Sequence, residues 1–273
     1  MSDSVKRHTL NLFNLTGARA LVTGGAGLLG PVFGQALADA GATVVLIDKN
    51  ADGLARSAAT IEGATPLVLD ITDEAAVETA VAKHGRIDIL INAAAVNPKF
   101  EADSSGTARD DGAFTSYPLE NWQRSMDVNL TGAFLMTRAA CRSMEKSGCG
   151  TIVNIASHYG LRGPDQRIYR DADGNQNFFK PVDYSVTKAG ILGFTRAVAT
   201  YYRGTSIRVN ALTPGGAING HDAAFVEQYA ARTVLGRMAE PDEYRGAILF
   251  LCSEASSYMT GANLIVDGGW TAL

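Results

Sequence analysis

Short apolar runs alternating with longer helical patterns along the chain constrain its fold more than any other feature. Seven runs have strand character: Ala18–Thr23, Thr43–Ile47, Pro66–Leu69, Asp88–Ile91, Thr151–Ile155, Ser206–Ala211 and Asn263–Val266. Between them lie helical patterns at Leu28–Ala40, Asp73–Lys83, Leu119–Lys146, Val182–Tyr202 and Asp242–Cys252. This rhythm is the signature of βαβ units around a parallel sheet. It predicts an α/β fold with a doubly wound seven-stranded parallel sheet and helices on both faces. Pro31 and Pro241 stand near helix starts, where a missing N–H costs nothing.

A chain of 273 residues suits a single domain, 1–273, with residues 1–14 as an N-terminal arm. With 46% hydrophobic and 19% charged residues and a net charge of −4, the composition is that of an ordinary globule, and neither nucleic acid nor an anionic membrane is an expected partner. The three cysteines, Cys141, Cys149 and Cys252, are odd in number and lack metal-type spacing, so no metal site and a reducing compartment are expected. The start "MSDSVKRHTLNLF" has no apolar signal region, and no run approaches a membrane span, which makes a cytoplasmic location the expectation. Two polar stretches, 97–118 and 161–181, break the rhythm. Both follow strands and belong at the carboxyl edge of the sheet, where open α/β sheets bind ligands; both are expected to lie over the active site.

The loop in "ALVTGGAGLLG" has two readings. Gly25-x-Gly27-x-x-Gly30 fits a dinucleotide fingerprint, whereas Thr23-Gly24-x-x-Gly27-x-x-Gly30 looks like the loop of longer enzymes that modify nucleotide sugars. Either way it follows a strand and opens a helix, whose first amides can hold a pyrophosphate. The next strand ends at Asp48, an acid that can accept hydrogen bonds from a ribose and repel an added 2′-phosphate, so NAD is expected over NADP. Lys49 beside it tempers that preference. Asp70, closing "PLVLD", is placed to meet an adenine edge, or is a solvated strand-end acid.

Tyr184 and Lys188 in "PVDYSVTKAGILGF" are one helical turn apart and share a face. A tyrosine is a poor base near neutrality, but a fixed ammonium beside it favours the phenolate. The strand in "GTIVNIASHYG" ends at Ser157, whose hydroxyl can hold a substrate oxygen while Tyr184 exchanges the proton. Asn129, among apolar neighbours, either props up nearby backbone or holds a water that links Lys188 to solvent. His158, Tyr159, Asn97 and Arg162 are the candidate substrate contacts, and the segment from Gly220 to Ala231 is expected to form a mobile lid.

In order along the chain, the glycine loop, Asp48, Asp70, "INAAA", Asn129, Ser157, Tyr184 with Lys188, "RVNALTPGG", "GRMAEPDE" and "TGANLIVDGGW" resemble the short-chain dehydrogenase/reductase family from Leu15 to Trp270. The resemblance implies a Rossmann-type fold, a nicotinamide cofactor and the tetrad Asn129, Ser157, Tyr184 and Lys188. It also implies that Gly24, Gly27, Leu28, Leu29, Gly30, Asp70, Ile71, Asn92, Ala93, Ala94, Pro214, Gly215 and Ala217 line the cofactor, with Lys188 on the nicotinamide ribose, and that the protein is a homotetramer. The glycine spacing departs from the compact branch of the family, which places a glycine where Leu28 stands, yet the ending "IVDGGW" and the length are those of that branch. Ala94 replaces a usual glycine, and Asn219 a usual threonine that touches the cofactor carboxamide.

The chain resembles in particular a subgroup that includes proteins of flagellin-glycan and nonulosonic-acid biosynthesis. The expected activity is NAD-dependent hydride transfer to or from a secondary alcohol or ketone of a sugar, polyol or sugar acid. A nucleotide-sugar epimerase or dehydratase with retained NAD, and a non-catalytic NAD-responsive binding protein, are the alternatives.

Overall fold

The apolar runs form a sheet buried on both faces in a computed structural model that describes residues 8–97, 112–171, 173–176 and 178–273. In chain order the elements are β1 (Arg19–Thr23), α1 (Leu29–Asp39), β2 (Thr43–Asp48), α2 (Ala51–Ala59), β3 (Thr65–Val68), α3 (Glu74–Lys83), β4 (Ile89–Asn92), α4 (Leu119–Met126), α5 (Ala133–Ser147), β5 (Cys149–Ile155), α6 (Val182–Tyr201), β6 (Ser206–Pro214), α7 (Ala223–Ala230), α8 (Arg245–Cys252) and β7 (Asn263–Val266). All strand pairs are parallel, in the order β3-β2-β1-β4-β5-β6-β7. This is the expected seven-stranded Rossmann-type sheet.

Alternation along each strand divides the interior in two. Ala20, Val22, Val44, Leu46, Ile89 and Ile91 face one way, against Phe33 and Leu37 of α1 and Ile248 and Leu251 of α8. Leu21, Val45, Ile47 and Leu90 face the other, against Val77 and Val81 of α3 and Met136 and Met144 of α5. Because the strand order reverses between β1 and β4, their carboxyl ends frame the crevice where such sheets take ligands. Gly24, Ala93, Ala94 and Ser157 all sit just beyond those ends or that of β5.

The structure departs from the expected elements in instructive places. The helix α2 was hidden because its apolar face is only Leu54 and Ala58; its start is fixed by the Asn50 side chain, which accepts from the Gly53 amide at 3.1 Å. The long pattern 119–146 is interrupted by a π-helical turn at Asp127–Gly132, between α4 and α5. A side chain at Gly132 would put its Cβ 2.6 Å from Ile71, so the turn closes against the segment after β3. Pro241 opens a 3-10 turn, Pro241–Tyr244, that leads into α8. The expected lid segment contains α7, capped by Asp222. Of the polar arm and the first insertion, residues 1–7 and 98–111 lie outside the described residues. Among the described residues no helix is long and apolar enough to cross a membrane.

Candidate active site

The glycine loop follows β1 because Thr23 and the two residues after it must pass very close to the end of β4. Thr23 Oγ1 accepts from the amides of Ala93 and Ala94, at 3.0 and 3.1 Å. Gly24 has φ +74°, and a Cβ there would stand 2.9 Å from the Ala94 nitrogen. Both facts require glycine at that position. A Cβ on Gly30 would meet the Gly24 carbonyl oxygen at 2.1 Å, so loop and helix touch backbone to backbone. Ala94 occupies its position without strain, since no described residue other than glycine has a positive φ.

This loop fits a dinucleotide. Helix α1 starts after Leu28 with no side-chain cap, leaving its first amides available, and Gly27 and Leu28 are exposed at its mouth while Leu29 packs inward against the core. Asp48, at the end of β2, accepts from the Ala26 amide at 3.1 Å and the Asn50 amide at 3.0 Å, which fixes the carboxylate beside the loop. Lys49 turns away from it toward Asp70, 3.9 Å distant in a solvated pair. One Asp70 oxygen accepts from the Thr72 amide and hydroxyl, and these bonds hold its carboxyl below the usual range. Ile71 is buried behind it. The Asn92 side chain points inward, donating to Thr137 and Asn154, and its buried Oδ1 has no partner among the described residues. Across the crevice, Gly215 takes a hydrogen bond from Tyr244 and donates to Val266, Ala217 pairs with Ala239, and the Pro214 carbonyl faces His158.

Ser157, Tyr184 and Lys188 come together at the end of β5 and the start of α6. Ser157 is buried at the end of β5 and its hydroxyl is hydrogen-bonded to the Tyr184 phenol, a bond that favours the phenolate. Burial acts against it and pushes the phenol up. Lys188 is buried, donates to the Ile155 carbonyl at 2.7 Å, and is pushed down to about 8 by burial. Its ammonium lies 5.8 Å from the Tyr184 ring centre.

Asn129 sits in the π turn, a distortion that recurs at functional sites. Its Oδ1 accepts from the Val96 amide at 2.7 Å, and its Nδ2 donates to the Val96 carbonyl at 3.1 Å and to Thr187 at 3.0 Å. Both donors are therefore used, and the side chain pins the backbone that leaves β4. Asn129→Ala is expected to lower stability by about 1 to 2 kcal/mol through the partners it leaves unpaired. The urea midpoint measures this, and an unchanged midpoint would deny Asn129 that structural role.

The candidate substrate contacts separate. His158 is buried among Tyr159, Tyr229 and Trp270, with ring centres 4.1, 6.0 and 5.0 Å away, and burial drives its pKa down to about 4. The Tyr159 hydroxyl is 3.0 Å from that of Tyr169, and Arg162 donates to the Thr271 carbonyl at the exposed surface. Asn97 accepts from the ammonium of Lys180, a residue that the sequence reading passed over. Lys180 is buried, and its ammonium lies 4.3 Å from the Tyr184 ring centre, nearer than Lys188. Asp183 was also passed over: fully buried, it accepts from Tyr117, Ser125 and the Tyr184 amide. The spacing in "KPVDYSVTK" carried the signal for Lys180, which is as far before Tyr184 as Lys188 is after it.

A family model described as enoyl-(acyl carrier protein) reductase matches residues 29–271. The chain is 36% identical over 263 residues to a 3-alpha-(or 20-beta)-hydroxysteroid dehydrogenase of Mycobacterium tuberculosis, covering 94% of this chain and 91% of that one. Among solved structures, a short-chain type dehydrogenase/reductase from Mycobacterium marinum matches with a TM-score of 0.83 at 32% identity, over 97% of this chain and all (100%) of that one. A gluconate 5-dehydrogenase from Burkholderia cenocepacia, in complex with NADP and tartrate, matches with a TM-score of 0.83 at 30% identity, over 97% and 100%. Sheet, site and relatives agree: the chain belongs to the short-chain dehydrogenase/reductase family and is an NAD(P)-dependent oxidoreductase acting on CH–OH groups.

Proposed function

We propose that the protein oxidises, reversibly, a secondary alcohol of a polyhydroxylated, sugar-like substrate, with NAD as the preferred cofactor and Tyr184 as the group that exchanges the proton. The observation that carries this reading is the cluster at the carboxyl end of β5 of buried Ser157, half-buried Tyr184, whose phenol is bonded to the Ser157 hydroxyl, and buried Lys188. The nicotinamide supplies the hydride acceptor or donor. Ser157 orients the substrate oxygen, Tyr184 takes its proton in oxidation and returns it in reduction, and Lys188 keeps a positive charge beside the phenol. Asn129 keeps the β4 exit in place; one oxygen lone pair is left over for a relay water. The polar insertion 161–181 supports a hydroxyl-rich substrate, since its Gln166 and Gln176 hold Lys180 inward against Tyr184 rather than leaving it in bulk solvent. Phe134 on α5 and Val186 on α6, 44% and 41% exposed, favour self-association, consistent with a tetramer.

The preference for NAD rests on Asp48, anchored by two amides with no cation turned onto it. Asp48→Asn is expected to lower the ratio of kcat/KM for NAD to that for NADP by about tenfold or more, as the repulsion of a 2′-phosphate is lost. Steady-state kinetics with each cofactor measure the ratio, and an unchanged value would remove Asp48 from cofactor choice. The reading as a whole is tested by supplying NAD with polyols, aldoses and sugar acids and following NADH.

A further inference from the structure

Lys180 has no role in the reaction as described so far, yet it is held with care. Its backbone is clamped from both sides by Gln166, whose amide donates to the Lys180 carbonyl at 3.0 Å and whose oxygen accepts from the Lys180 amide at 2.8 Å. Gln176 fixes Gln166 in turn, donating to its carbonyl at 2.9 Å. The side chain is buried, with its ammonium against the Tyr184 ring and one amide oxygen, that of Asn97, as its hydrogen-bond acceptor. A buried ammonium is costly unless a charge or several acceptors compensate it. Among the described residues no carboxylate forms an ion pair with Lys180, and the nearby Asp183 is already taken up by Tyr117, Ser125 and the Tyr184 amide.

Lys180 also borders open space. A cavity of about 630 Å³ is lined by Lys180, Gln166, Ser185, Phe114, Phe179 and Val182 among others, a size that suits a small organic ligand. Ser185 lines it as well, and its hydroxyl is buried with no hydrogen-bond partner among the described residues. An ammonium with a single neutral acceptor and a hydroxyl with none, on two residues that line one cavity and flank in sequence the tyrosine that handles the substrate hydroxyl, form a receptor for an anion that the substrate itself carries. We propose that Lys180 and Ser185 bind the carboxylate of a polyhydroxy acid, so that the enzyme favours sugar acids over neutral polyols. The inference rests on the hydride-transfer reading of the same site and narrows its substrate class. It accords with the depression of Lys180 to about 8, where burial outweighs the opposing charge of Asp183 and Lys188 adds a smaller push downward, since an anion bound there relieves burial and repulsion alike.

The test compares wild type, Lys180→Met, Lys180→Gln and Ser185→Ala, each saturated with NAD. Aldonates (gluconate, galactonate, fuconate) are set against the corresponding neutral polyols, and tartrate binding is read separately as a shift in thermal unfolding. Wild type is expected to prefer an acid. Lys180→Met should cut kcat/KM for that acid about thirtyfold more than for the neutral polyol, mostly through KM, and abolish the tartrate shift. Ser185→Ala should do the same more weakly. Lys180→Gln gives a second reading should the methionine variant fail to fold. Equal losses on acids and polyols, or a fall in kcat with a displaced pH profile, would overturn the inference and make Lys180 a positioning residue for Tyr184. Turnover of polyols but of no acid would also overturn it while leaving hydride transfer intact. No NADH from either class, with no tartrate shift, would remove both readings.

Discussion

Tyr184→Phe is expected to lower kcat by about a thousandfold or more while NAD binding and thermal stability stay close to wild type. The substitution removes a single oxygen. The ring keeps its place between Lys180 and Lys188, and Ser157 keeps its hydrogen bond to the Tyr159 amide. What disappears is the acid or base that carries the substrate proton, and a positioned group of that kind contributes about 10² to 10⁴ in rate. Lys188 cannot take its place, because its ammonium is committed to the Ile155 carbonyl, and His158 is buried away among aromatic rings. Single-turnover kinetics with NAD fluorescence titration separate the two effects. A variant that retains more than about a tenth of wild-type kcat would mean that another group handles the proton.

Gly30→Ala is expected to be among the most damaging of the small substitutions in this chain. Its Cβ would stand 2.1 Å from the Gly24 oxygen and 2.7 Å from the Gly24 carbon, both backbone atoms. Gly24 cannot move aside, because it lies against Ala94, which Thr23 holds by a hydrogen bond. Overpacking of this kind costs about 3 kcal/mol, equivalent to roughly 10 °C in Tm for a chain of this size. NAD affinity should fall as well, since any relief of the clash tilts α1 away from the loop. Calorimetry and NAD titration read the two losses, whereas a Gly27→Ala control should be milder in stability, with its nearest contact, the Gly24 oxygen, at 3.2 Å. Equal Tm values for the two variants would contradict this account of the loop.

The sheet was legible because buried parallel strands write themselves as apolar runs, and all seven lie within a few residues of where those runs fall. Tyr184, Lys188 and Ser157 were legible for a related reason: one is a turn from the next on α6, and the third closes an apolar strand. Helix α2 was not, because two apolar side chains are too few to mark a period. The π turn around Asn129 was hidden because the close approach of Gly132 to Ile71 that accompanies it joins residues far apart in sequence. The burial of His158 had the same origin, since Trp270 and Tyr229 reach it from the far end of the chain. Lys180 shows how far local spacing goes: it stands four residues before Tyr184, just outside α6, but a lysine in a polar loop reads as solvated until Gln166 and Asn97 are seen to hold it inward.

The central claim is that hydride leaves the substrate for good in each turnover, and the direct measurement is NADH formed per substrate consumed, over a panel that includes nucleotide sugars beside polyols, aldoses and sugar acids. One NADH for each alcohol oxidised, absent in Tyr184→Phe, is the predicted result. Isomerisation or loss of water from a nucleotide sugar with no net NADH would contradict it, and would make the spacing of Thr23, Gly24, Gly27 and Gly30 the truer guide to the chemistry.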